Sequence, residues 1–124
     1  MEKKKILIAD DEVVIRRLVR MSLGKDYIIL EASDGEEAVN IARAERPDLV
    51  LMDIMMPRLD GIGACNVIKS DSSTRGIPVI MVTARGDRLD QQYARDMGAD
   101  GYITKPFSAT ELLETVSLVL TAPK

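Results

Sequence analysis

The run Leu49-Val50-Leu51-Met52 is apolar without interruption and stops at a carboxylate, Asp53. A short unbroken apolar run suits a strand buried on both faces of a parallel sheet, because a half-exposed strand would alternate apolar and polar residues. Pro57 and Asp60-Gly61 then turn the chain away,. Ligands collect at the carboxyl ends of strands in open parallel sheets, so Asp53 stands where chemistry is expected. An acid serving only solvation would more often lie on a helix face.

The same punctuation recurs along the chain. Lys5 to Ala9 is a short apolar run that ends in Asp10-Asp11-Glu12. Residues 13–23 read as a helix stopped by Gly24, and 27–30 as a second strand. Asp34-Gly35 opens a second helix that ends at Pro47, and the central strand follows. Residues 62–68 suggest a third helix, 71–76 a polar loop, and 79–82 a fourth strand ending at Thr83-Ala84. A polar fourth helix is expected over 87–97, closed by Gly98, and a weaker fifth strand over 99–104, ending at Lys105-Pro106. Ser108, with Glu111 three residues on, forms a capping box for a last helix through Leu120,. Five βα units with short connections predict one α/β domain, a doubly wound parallel sheet with helices on both faces. Its expected bounds are 1–121, with 122–124 a tail or the start of a linker.

Composition closes off other classes. The 124 residues suffice for one core but not two,. The net charge of -3 argues against a broad nucleic-acid footprint, so no direct nucleic-acid contact by this domain is expected,. One cysteine and no histidine exclude an internal disulfide, a Cys/His zinc site and a Ser-His-Asp triad,. No apolar run approaches a membrane span, so no membrane partner and a cytoplasmic location are expected.

The polar residues that end the strands share one edge of such a sheet: Asp10 and Asp11, Asp53, Thr83, and Lys105. Clustered carboxylates raise one another's pKa unless a cation intervenes, and an all-oxygen set suits Mg²⁺. A lysine and a hydroxyl on the same rim suit phosphoryl oxygens. Together they point to phosphoryl transfer, with Asp53 the nucleophile and the other acids metal ligands. Each residue has an ordinary reading when taken singly. Asp10-Asp11 and Glu12 favour a helix N-terminus, Thr83 is a usual strand-end residue, Lys105 a surface lysine and Tyr102 a half-buried strand residue. Independent ordinary causes would not place acid, acid, hydroxyl and lysine on one rim.

The set Asp10-Asp11, Asp53 with Met55-Met56-Pro57 and Asp60-Gly61, Thr83-Ala84, and Lys105-Pro106-Phe107 resembles the receiver domain of two-component response regulators, over about residues 5–120. The resemblance implies the flavodoxin-like strand order 2-1-3-4-5. It implies that Asp53 accepts a phosphoryl group from a sensor histidine kinase or phosphotransfer protein. It implies that Asp10, Asp11, Asp53 and the Met55 carbonyl bind Mg²⁺, with Asp10 acting chiefly through water. Lys105 would pair with Asp53, Thr83 would contact the phosphoryl oxygens, and Tyr102 would turn inward as a switch when Thr83 moves. The Lys105–Pro106 bond is expected to be cis. Met55 and Arg85 flank the approach of water and are expected to tune the lifetime. Such a domain catalyses its own phosphorylation and dephosphorylation but turns over no external metabolite, so it is not an enzyme in the usual sense.

Partners follow from the same resemblance. On the first helix, Val14, Ile15, Leu18, Val19, Met21 and Leu23 cover an arc of roughly 200°, wider than the ~100° stripe a core needs. Val14, Leu18 and Met21, beside Arg16 and Arg17, are the expected docking face for a kinase's helical bundle. The output partner is a downstream effector protein or domain, and the resemblance admits a phosphorylation-dependent homodimer. Gly101 and Thr110 stand where the winged-helix branch usually carries an acid and an arginine. The alternatives are a receiver excised from a larger DNA-binding regulator and an aspartyl-phosphate phosphatase. In the phosphatase a second acid follows the nucleophile by two residues, where this chain has Met55. A flavodoxin-like nucleotide binder would need a glycine-rich loop where Asp10-Asp11-Glu12 stands.

Overall fold

The computed structural model describes residues 2–84, 92, 95, 96 and 98–122, without the side chains of Thr83 and Ala84. The elements are β1 (Lys5–Ala9), α1 (Val13–Leu23), β2 (Ile28–Ala32), α2 (Gly35–Glu45), β3 (Leu49–Asp53), α3 (Gly61–Ser70), β4 (Val79–Ala84), β5 (Gly101–Lys105) and the last helix, Ala109–Thr121, here α4. The helix expected over 87–97 falls largely outside the described residues, as does Arg85. All strand pairs are parallel, in the order β2-β1-β3-β4-β5. The doubly wound architecture and the 2-1-3-4-5 order are therefore as expected.

Alternation along the strands divides the core into two layers. Leu7, Ala9, Val50, Met52, Val79 and Met81 pack on one face with Ala38, Ala42, Ala64, Cys65 and Ile68 of α2 and α3. Ile6, Ile8, Leu49, Leu51, Ile80, Val82 and Ile103 pack on the other with Val19 and Leu23 of α1 and Leu112 and Val116 of α4. All five residues of β3 are buried because it lies between β1 and β4 under helices on both sides,.

Local signals set the helix ends. The Asp34 carboxylate accepts the Glu37 N–H at 2.8 Å, the Asp60 carboxylate that of Gly63 at 2.7 Å, and the Ser108 hydroxyl that of Glu111 at 3.1 Å,. The Ser108 box closes differently from the usual one: its hydroxyl donates to the Glu111 carboxylate at 3.3 Å. Strand β2 begins one residue later than expected and extends to Ala32, because its register with β1 continues to Ala9. Strand β5 likewise runs Gly101–Lys105, so Lys105 is itself the last strand residue, opposite Ala84.

Candidate functional site

The acids arrive on the β1–α1 connection. Asp10 follows the last residue of β1 and is fully buried. Its N–H donates to the Ala32 carbonyl at 3.0 Å, and its Oδ1 accepts the Glu12 N–H at 2.9 Å. Asp11 and Glu12 are exposed, and the three carboxylates bring one oxygen each to within 4.8 Å of one another. Glu12 is the N-cap residue of α1, yet its side chain makes no capping bond. Its oxygen instead lies 3.8 Å from Lys105 Nζ.

Asp53 ends β3 with 5% of its surface exposed. Gly61 makes this crowding workable. A Cβ there would fall on the Asp53 carbonyl oxygen, so only glycine lets the start of α3 lie against the Asp53 backbone. The Gly61 N–H also donates to the Ile54 carbonyl at 2.8 Å. Asp60-Gly61, legible in sequence only as a turn, is therefore also a close approach to Asp53.

Lys105 joins the two parts. Its ammonium lies 3.0 Å from Asp10 Oδ2 and 3.4 Å from Asp53 Oδ1. The Lys105–Pro106 peptide is cis, as expected. Burial works against the lysine's charge, but Asp10 and Asp53 outweigh it and hold its pKa above the usual lysine value. Burial raises the Asp53 carboxyl from 3.8 to about 6; the Asp10 charge adds to this, Lys105 opposes it, and Asp11 contributes a smaller rise,.

The surplus of negative charge bears on a cation. Among the described residues the Lys105 ammonium meets three acids, Asp10, Glu12 and Asp53, and Asp11 lies in the same acidic cluster as Asp10 and Glu12. The buried Asp10 Oδ2 has the Lys105 ammonium, at 3.0 Å, as its one partner among the described residues. An all-oxygen donor set with an underused buried carboxylate fits a hard divalent cation such as Mg²⁺.

The remaining expected residues divide. Thr83 lies at the end of β4 opposite Thr104, on the same edge, but its side chain is outside the described set. The Met55 side chain, two residues after Asp53, is exposed. Tyr102 is 41% exposed, with the Arg95 guanidinium 5.1 Å from its ring centroid. On α1, Val14 is 73%, Met21 83% and Leu18 37% exposed, while Val19 and Leu23 are buried, so the wide apolar arc splits as expected. Arg16 does not flank that exposed face. Its guanidinium turns to Glu31 and to the Asp10 carbonyl. From sequence, Arg16 stands beside the docking face and Glu12 reads mainly as a helix-start acid. The run of three acids was the signal available for Glu12.

Residues 6–117 match the family model of the response regulator receiver domain. The chain belongs to that family. The "Probable transcriptional regulator ycf27" of Guillardia theta is 47% identical over 119 residues, which is 95% of this chain and 46% of that protein. The chain thus spans about half the length of the curated relatives it matches. The chemotaxis response regulator CheY4 of Vibrio cholerae superposes with a TM-score of 0.90 at 30% identity, covering 95% of this chain and 99% of that one. The receiver domain of sensor histidine kinase PA1611 from Pseudomonas aeruginosa superposes at 0.90 with 29% identity, covering 98% and 100%. Its structure is described with a magnesium ion coordinated in the active site cleft. Receiver domains are signalling switches rather than conventional enzymes, and they work with histidine kinases and output domains. No helix among the described residues is long and apolar enough to cross a membrane.

Proposed function

We propose that this receiver is a phosphorylation-activated switch whose acceptor is Asp53. The observation that carries the reading is the Lys105 ammonium, held between Asp10 and Asp53 at 3.0 and 3.4 Å on the carboxyl edge of the sheet. An Asp53 carboxylate oxygen attacks the phosphorus of a kinase phosphohistidine. The new O–P bond forms as the P–N bond breaks, and the imidazole leaves with the bonding electron pair. Lys105 stays beside Asp53 and meets the charge of the incoming oxygens, with the Thr83 hydroxyl as the second donor. Asp10, Asp11 and Asp53, with the Met55 carbonyl, would hold Mg²⁺. Bound there, that cation offsets the crowded carboxylates and draws charge from the phosphoryl oxygens. Proton release from Asp53, whose pKa lies near 6, readies it for attack at neutral pH.

The output is a population shift. Moving from 1:99 to 99:1 requires about 5.5 kcal/mol of differential interaction. Charge-assisted hydrogen bonds contribute about 1.5–3 kcal/mol each, so the Lys105 and Thr83 contacts together reach that range. Tyr102, outward and stacked by Arg95, is the group that follows Thr83 inward. The kinase bundle docks on Val14, Leu18 and Met21 in the cytoplasm, where such kinases carry phosphohistidine. The DNA-binding alternative concerns what the receiver controls and is favoured by the transcriptional regulators among its relatives, whose other half lies beyond this match.

Incubation with acetyl phosphate, with and without Mg²⁺, tests the reading by intact mass. The protein should gain one phosphoryl mass only with Mg²⁺, and Asp53→Asn should gain none. A phosphoryl mass on Asp53→Asn equal to that on the unaltered chain would refute Asp53 as the acceptor.

A further inference from the structure

Three acids in succession repel one another, so the β1–α1 connection needs something to hold it. Glu12 spends its carboxylate on no cap, and the Asp10 carboxylate is engaged with Glu12 N–H and Lys105. The backbone of Asp10 is held separately, from β2 and α1. Its N–H reaches the Ala32 carbonyl at 3.0 Å. Its carbonyl accepts from Arg16 Nη1 at 2.7 Å. Arg16 is anchored in turn by Nε donating to Glu31 Oε1 at 2.9 Å, and its side chain is only 16% exposed. Glu31 immediately precedes Ala32, so the edge strand β2 holds the Asp10 peptide at both its N–H and, through Arg16, its carbonyl. Arg20 completes the anchor with two bonds to Glu31 Oε2, at 2.9 and 2.7 Å.

We infer that Arg16 is a positioning residue for the acidic pocket: by clamping the Asp10 carbonyl to Glu31, it sets the Asp10 and Asp11 carboxylates for a divalent cation. Only a planar fork can make both contacts with fixed geometry; the ammonium of a lysine offers a point charge on a flexible stem. The inference rests on the cation reading of the pocket and goes beyond it. Among the described residues Arg16 bonds to Glu31 and to the Asp10 carbonyl, not to the carboxylates of the pocket.

The sign of the effect separates this role from simple electrostatics. Arg16 is a positive charge beside a cation pocket, so removing it should tighten cation binding if charge is all it contributes. If it positions the loop, removing it should weaken binding, and loss of an outer partner of metal ligands costs about 10-fold or more in affinity. The test is Mn²⁺ binding followed by loss of the free-ion electron paramagnetic resonance signal. It compares the unaltered chain with Arg16→Met, Arg16→Lys and Asp11→Asn, at a temperature where circular dichroism shows each folded. The expected result is about 10-fold or greater weakening in Arg16→Met and clear weakening in Arg16→Lys. Tighter binding in Arg16→Met with unchanged binding in Arg16→Lys overturns the inference, as does unchanged binding in both. Should Arg16→Met fail to fold, the charge-neutral exchange Arg16→Lys decides alone: weaker binding supports the clamp, unchanged binding overturns it. Absence of Mn²⁺ binding by the unaltered chain, or full binding by Asp11→Asn, instead overturns the cation reading itself.

Discussion

Replacing Asp53 by asparagine should stabilise the cation-free protein at pH 8, although it removes the proposed acceptor. The carboxyl titrates near 3.8 in a free chain and near 6 in the fold, chiefly because burial and the Asp10 charge disfavour its ionised form. At about 1.4 kcal/mol per pKa unit, ionising it in the fold costs about 3 kcal/mol. Between those two values the native state holds a proton that the unfolded chain has released, so stability falls as pH rises through the window. Above about 6 the whole penalty is present; below about 3.8 it is gone. Asparagine is nearly isosteric and carries no charge, and Lys105 keeps Asp10 as a partner at 3.0 Å. Urea unfolding at pH 8, 6 and 4 in a chelator should therefore show Asp53→Asn more stable by up to about 3 kcal/mol at pH 8, with the gain shrinking as the pH falls toward 4. Added Mg²⁺ should narrow the difference at pH 8, because a ligand favouring the ionised pocket stabilises only the unaltered chain. Equal or lower stability of Asp53→Asn at pH 8 without divalent ions would show that the charge surplus assigned to this rim does not exist.

Further outcomes follow from individual contacts. Gly61→Ala should destabilise by roughly 1–3 kcal/mol in urea unfolding, as its Cβ meets the Asp53 carbonyl; an unchanged midpoint would mean that α3 yields freely there,. Arg95→Ala should release Tyr102 from a contact worth about 0.5–1 kcal/mol, tightening apparent beryllofluoride binding about two- to fivefold if the stack exists only in the inactive state,. Unchanged binding would leave the stack without a role in switching. Leu18→Asp combined with Met21→Asp, both on exposed positions, should change stability by less than about 1 kcal/mol yet reduce transfer from a cognate kinase about tenfold or more,. Undiminished transfer would remove α1 as the docking face.

Much of the site could be read before any coordinates. Asp53 announces itself because a strand buried on both faces tolerates a carboxylate only at its end, and Asp10, Thr83 and Lys105 follow from the same punctuation at other strand ends. The two-layer core is likewise visible as alternation within apolar runs, and two helix starts as Asp34 and Ser108. What was not readable depends on contacts between segments distant in sequence. Strand order cannot come from hydrophobic pattern, since β1 would bury the same side chains beside several neighbours; register with β2 and β3 decides it. Gly61 looks like any turn glycine until α3 is laid against the Asp53 carbonyl. Arg16 looks like a solvated helix residue until β2 brings Glu31 beneath it.

The sequence by itself determined the type of sheet, the edge that carries chemistry and the groups available there, because burial and strand periodicity act over a few residues. Only the tertiary structure decided which of those groups share charge, by placing the Lys105 ammonium among the carboxylates of Asp10, Glu12 and Asp53, and the Arg16 guanidinium on the Asp10 carbonyl. Coulombic and hydrogen-bond energies depend on distances of a few ångströms between chain segments, and no local pattern encodes those distances.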